Sequence, residues 1–200
     1  MHPNPVFRQV SDTTSLGFAR ARGFGVICVN ADPAPLCSHI PFLLAEDGTR
    51  AEAHLVRSNP IAGLLGAGPV AARLIVSGAD GYISPDWYQA KDQVPTWNYV
   101  AVHLTGELTA KPVELLRPHL DRLSAFFETR LLPKPIWRVD KVDDAALARM
   151  VRMILPVELS ITNVEATWKL SQNKAAPARL AAADMVTDAA LAEAMRVLPD

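Results

Sequence analysis

Two hundred residues, half of them hydrophobic, fit one globular domain with a small appendage and can build a core without disulfides. A formal net charge of −1 excludes a global electrostatic pull toward nucleic acid or an anionic membrane. The longest apolar run, residues 61–72, is broken by Gly63, Gly66, Gly68 and Pro69 and is too short to span a bilayer. The N-terminal Met-His-Pro-Asn-Pro has no basic patch followed by an apolar run, so the chain reads as cytoplasmic and soluble, with no membrane partner.

Asp12 caps a predicted helix over 13–22, which Gly23 and Gly25 stop. Residues 23–30 read as a buried strand, and 36–44 as a second one that Pro41 marks as an edge or a bulge. Cys28 and Cys37 fall on these two strands. Two thiols on apolar strands read as buried, reduced cysteines, and as near neighbours if the strands form a hairpin. Asp47-Gly48 signals a hairpin into a third strand, 50–56, with Glu52, His54 and Val56 on one face and Leu55 and Arg57 on the other. A short helix over 61–67 follows Pro60. A strand over 73–77, a turn at Gly78-Ala-Asp-Gly81 and a short strand over 82–84 lead to a loop rich in rings. A long strand over 98–109 then puts Val100, Val102 and Leu104 on one face.

After Pro112 the apolar period changes from 2 to about 3.6. This predicts a helix over 113–132, with Leu115, Leu116, His119, Leu120, Leu123, Phe126 and Phe127 as its stripe and Pro133 as its end. Asp143 or Asp144 caps a second helix over 145–154, and 156–161 reads as the last strand. Thr162-Asn-Val-Glu165 has a capping-box pattern, which predicts a helix carrying Trp168, Lys169 and Leu170. The Ala-rich segment 177–198 reads as an exposed helix suited to docking on a partner subunit. Strands followed by helices indicate an α+β fold: an antiparallel barrel, closed or split, with helices outside it. The expected organisation is a barrel domain over 1–175 and a helical tail over 176–200.

Chemistry concentrates in residues 82–103, which hold two of the four tryptophans, Trp87 and Trp97, and all three tyrosines, Tyr82, Tyr88 and Tyr99. Pro85 and Pro95 fix the backbone of the loop, so it can hold flat rings at set angles against a planar ligand with polar edges. The same rings could instead cap the end of a barrel. A nucleotide-like ligand also needs cations and hydroxyls for a phosphate. Arg57, Lys169 and Lys174 supply the charge, and Ser38, Ser58, Ser84 and Thr96 the hydroxyls. No Ser/His/Asp order stands out, and the glycines at 63, 66 and 68 are followed by no Lys-Ser/Thr pair, which excludes a P-loop. Arg130 to Arg152 carries six basic residues against three acidic ones, a modest excess without a helix-turn-helix pattern.

Five segments carry a resemblance. They are Ser38-His-Ile-Pro41, His54-Leu-Val-Arg-Ser-Asn-Pro60, Tyr82-Ile-Ser-Pro-Asp-Trp-Tyr88, Val94-Pro-Thr-Trp-Asn-Tyr99 with His103, and Lys169-Leu-Ser-Gln-Asn173. In order and spacing, over about residues 1–175, they resemble the FMN-binding negative transcriptional regulators, the PaiB-like family. The resemblance implies an FMN-binding split β-barrel of Greek-key-like topology and a homodimer that represses protease-production and sporulation genes. It implies cofactor contacts from His54, Arg57, Asn59, Ser84, Trp87, Tyr88, Thr96, Trp97, Asn98, Lys169, Gln172 and Asn173. The flavin ring would lie near Trp97 and the phosphate near Arg57 and Lys169, at a subunit interface. No residue is assigned a catalytic or metal-binding role. Two further readings stay open: an FMN-dependent oxidoreductase on the same barrel, and a DNA-binding repressor that needs no cofactor.

Overall fold

A computed structural model describes residues 1–200. Its strands are β1 (Phe24–Val29), β2 (Leu36–Leu44), β3 (Arg50–Val56), β4 (Val70–Ile83), β5 (Thr96–Ala110) and β6 (Ile154–Lys169). Its helices are α1 (Asp12–Arg22), α2 (Pro60–Leu64), α3 (Leu116–Glu128), α4 (Asp144–Arg152), α5 (Ala176–Met185) and α6 (Ala189–Arg196). The strands close into a barrel in the order β1-β2-β3-β6-β5-β4. No helix is long and apolar enough to cross a membrane. The chain divides into two compact units. The first comprises Met1–Arg22, Ile75–His103 and Val164–Asp200, and the second comprises Gly23–Leu74 and Leu104–Asn163.

In the second unit β1 and β2 form an antiparallel hairpin that pairs Phe24 with Pro41 and Cys28 with Cys37. β2 pairs with β3 over Phe42–Leu44, so Pro41 lies just outside that ladder, where its missing N–H breaks no bond to β3. β3 pairs with β6 from Arg50↔Ser160 to Val56↔Ile154. Alternation decides what is buried: Ala51, Ala53 and Leu55 point inward with Phe42, Leu44, Val157 and Leu159. Helix α3 buries Leu116, His119 and Leu123 from the predicted stripe. Asp143 caps α4, its carboxylate accepting from the Ala146 N–H at 2.9 Å, as Asp143 or Asp144 was expected to do.

In the first unit a core of Ile83, Tyr88, Val100, Trp168, Leu170, Ala182, Ala183, Leu191 and Met195 joins strand ends to the C-terminal helices. Trp168 donates its indole N–H to Ser15 of α1 at 3.1 Å, and Phe18 meets its ring edge-on at 5.4 Å. The Ala-rich segment is not one exposed helix. It is two, α5 and α6, with Asp188 capping the second and Ala182, Ala183, Leu191 and Met195 buried.

Two local signals mislead. The capping-box pattern at Thr162–Glu165 starts no helix, because residues 154–169 are one continuous strand. Ile161, Thr162, Val164 and Thr167 are β-branched and stiff at χ1, and Thr162 donates to the Thr105 carbonyl of β5 at 3.3 Å. Gly78-Ala-Asp-Gly81 makes no turn either, since β4 runs through it. A Cβ at Gly78 would meet Phe18 and Val100 at 2.9 Å, and one at Gly81 would meet Leu191 at 2.9 Å, so both glycines serve close packing. Gly106 is tighter still, for a Cβ there would overlap the Ser160 carbonyl of the neighbouring strand. Gly106→Ala therefore forces β5 from β6 and is expected to cost about 3 kcal/mol, read as a lower urea midpoint.

Candidate functional site

In the second unit β3 ends at Val56, and the next turn carries Arg57 and Asn59. Arg57, expected to share a face with buried Leu55, is exposed, and its Nε donates to the Arg152 carbonyl at 3.0 Å. Asn59 is the N-cap of α2: its Oδ1 accepts from the Ile61 N–H at 2.9 Å. Its Nδ2 donates to the Ser38 hydroxyl at 3.0 Å, which ties this turn to β2. His54, half-buried on β3, lies 3.3 Å (Nδ1 to Nε2) from His119 of α3.

The other nine expected residues belong to the first unit. Ser84 precedes a 3-10 turn over Pro85–Tyr88, and its carbonyl accepts from the Trp87 N–H at 3.2 Å. Trp87 is partly buried against the core, and Tyr88 is inside it. The Tyr88 hydroxyl lies 2.7 Å from that of Ser171, which also accepts from Asn98 Nδ2 at 2.8 Å. Asn98 is wholly buried on the inward face of β5, and its Oδ1 has no hydrogen-bond partner. Gln172 is spent on backbone: its Oε1 accepts from the Leu170 N–H at 2.8 Å, and its Nε2 donates to the Trp168 carbonyl at 2.5 Å. Asn173 is exposed.

Trp97, Thr96 and Lys169 complete the nine. Trp97 is 51% exposed, donates to Asp80 at 3.0 Å and meets the Tyr82 ring at 6.4 Å. Thr96 accepts at 2.5 Å from the ammonium of half-buried Lys169. Lys169 has no carboxylate beside it, and its Nζ stands 5.8 Å over the Phe7 ring. Burial lowers its pKa. An ammonium that is partly desolvated and paired only with a hydroxyl is short of a counter-charge.

Five of the chain's cavities, of about 190 to 510 Å³, are lined by other residues than the twelve expected ones. The most enclosed, about 190 Å³, is in the second unit among Arg50, Glu52, Lys111, His119, Arg122 and Glu158. Sequence reasoning counted His119 only as part of an apolar stripe. It is 3% exposed, and its Nδ1 lies 3.7 Å from Glu52, too far for a hydrogen bond. The readable signal was an imidazole among leucines, which needs a buried polar neighbour. Ser171 was the other omission. It lay inside a quoted motif, but its left-handed backbone, φ 62°, depends on the tertiary setting.

Burial, and then the neighbouring His54, holds the His119 pKa down to about 4, with Glu52 opposing. Burial lowers that of His54 too. The unfolded chain therefore takes up protons near pH 6.5 that the folded chain refuses until about pH 4. Stability is expected to fall as pH drops through that window, by about 3 kcal/mol at most from His119. Urea midpoints measured from pH 7.5 to pH 4 read this fall, and His119→Leu flattens it.

Residues 1–163 match the family described as "Putative FMN-binding domain". The protease synthase and sporulation protein PAI 2 of Bacillus subtilis is 25% identical over 173 residues, 85% of this chain and 82% of that protein. An uncharacterized protein of Saccharomyces cerevisiae is 39% identical over 77 residues, 34% of this chain and 44% of that one. Among solved structures, the FAD and heme binding protein of Mycobacterium smegmatis superposes with a TM-score of 0.58 at 16% identity, covering 82% of this chain and 73% of that chain. A conserved hypothetical protein of Mycobacterium tuberculosis gives 0.58 at 10% identity, covering 87% and 94%. At these identities the structural likenesses carry the fold, an α+β antiparallel split barrel.

Proposed function

We propose that this chain, which belongs to the family of FMN-binding domains matched over residues 1–163, is a homodimeric, flavin-binding negative regulator of transcription similar to PAI 2. FMN is the cofactor that family membership assigns. The observation that carries the reading is the Lys169 ammonium, half-buried, hydrogen-bonded to Thr96 and lacking a carboxylate. An anion such as a flavin phosphate would supply the missing counter-charge.

The chain's residues fit such a group unequally. Lys169 and Thr96 would hold an anionic edge. The open Trp97 ring would wall the flavin. Tyr88, Asn98 and Gln172 would act one step back, through the hydrogen bonds that hold the turn after β6. The flavin, when bound, supplies electron-transfer chemistry that side chains lack. A second copy is part of the proposal because Tyr82, Val94 and Trp97 are large hydrophobic side chains at least half exposed on the first unit. A partner subunit would cover the rings and close the site.

FMN titration by fluorescence quenching tests the cofactor reading. Lys169→Met is expected to raise Kd at least tenfold, the loss of one charge-assisted hydrogen bond of about 1.5–3 kcal/mol, with an unchanged far-UV spectrum. Equal affinity in the two proteins would remove Lys169 from the site. For the regulatory role, transcripts rise when the gene is deleted and stay raised when only Lys169→Met is restored. An unchanged transcript profile in the deletion strain would reject it.

A further inference from the structure

Cys28 and Cys37 face each other across the first two strands. They are Cα partners in the β1–β2 ladder, and their sulfurs are 3.4 Å apart. Both thiols are free. Cys37 is exposed and Cys28 half-buried, so the expectation of two buried cysteines gives way to a dithiol that opens to solvent. Directly opposed residues of an antiparallel pair have Cα atoms about 4.5–5.5 Å apart, inside the roughly 4.4–6.8 Å span that a disulfide bridges. The bond can form with little backbone movement. The two thiols share a weak S–H···S hydrogen bond, and the Cys37 thiol also faces the Pro35 carbonyl as a donor at 4.0 Å.

We propose that Cys28 and Cys37 form a reversible dithiol–disulfide site, oxidised by low-molecular-weight disulfides of the glutathione type. The two thiols have separate roles, set by exposure. The Cys37 thiolate attacks one sulfur of the small disulfide. That S–S bond breaks, a mixed disulfide forms on Cys37, and the first small thiolate leaves and takes up a proton. The Cys28 thiolate then attacks Cys37 Sγ and expels the second small thiol. Two protein thiols lose two electrons and two protons, and the small disulfide becomes two thiols.

Burial and the adjoining Cys37 raise the Cys28 pKa to about 11, so Cys28 is the resolving thiol and closes the bond faster as pH rises. Its contact with Cys37 offsets its small thiolate fraction by proximity. The bond would staple the β1–β2 hairpin next to Ser38, the residue that accepts from Asn59. Oxidation thus acts on the strand that supports the turn carrying Arg57 and Asn59.

The test treats the whole reduced protein with glutathione disulfide and reads intact mass, free thiols and non-reducing gels. The wild type is expected to lose both thiols, end two hydrogens lighter and run as a monomer on the non-reducing gel. Cys28→Ser is expected to stop as a single glutathione adduct on Cys37, and Cys37→Ser to react at least tenfold more slowly. The final closure in the wild type should accelerate between pH 7 and pH 9. A wild type that retains both thiols, keeps glutathione or cross-links between copies overturns the site. Equal adduct rates in the two variants overturn the assigned order of attack.

Discussion

One hydroxyl, that of Ser171, holds together the part of the first unit on which the proposed site stands. It meets the Tyr88 hydroxyl at 2.7 Å and takes a bond from Asn98 at 2.8 Å, and all three residues are buried. These bonds join three stretches far apart in sequence: the ring-bearing turn, the inner face of β5 and the turn after β6. In a buried core an unpaired polar atom costs desolvation free energy, so the three positions constrain one another. Lys169 and Thr96 lie at the ends of β6 and β5 that this cluster secures. The rings of Trp97 and Tyr82 stay outward because strand alternation turns their neighbours Asn98 and Ile83 inward.

The second unit uses alternation where the first uses a hydrogen-bond cluster. Ala51, Ala53 and Leu55 fill the inside of β3, and the same period sends Glu52 and His54 to the other side. There α3 brings His119 against His54, with Glu52 and Arg122 paired at the surface. Burial favours the two imidazoles neutral and in contact, and opposes protonation of either one. Arg57 escapes this layer because β3 has already ended, and that leaves its guanidinium in solvent.

Much of this was legible before any coordinates. β-Branched, apolar composition located β1 and β2, alternation located β3 and β5, the 3.6-residue period located α3, and Asp143 or Asp144 announced α4. The motif Lys169-Leu-Ser-Gln-Asn173 and the Pro-Thr-Trp-Asn segment pointed to the chain's flavin-binding family. What could not be read was which members of those motifs face outward. Tyr88 and Trp97 are both aromatic and close in sequence, yet one is 1% exposed and the other 51%. That depends on which side of the backbone meets Leu191 and Met195, residues a hundred positions away.

The amino-acid order alone determined periodicity, chain breaks and the chemical inventory, because those are properties of neighbours along the chain. Tertiary structure alone decided that Gly78 and Gly81 lie within a strand, that Thr162–Glu165 pairs instead of coiling, and that Cys28 lies against Cys37. Each is settled by the space and hydrogen-bonding groups that another segment presents, and backbone groups satisfied across a sheet outweigh a local preference worth about 1 kcal/mol.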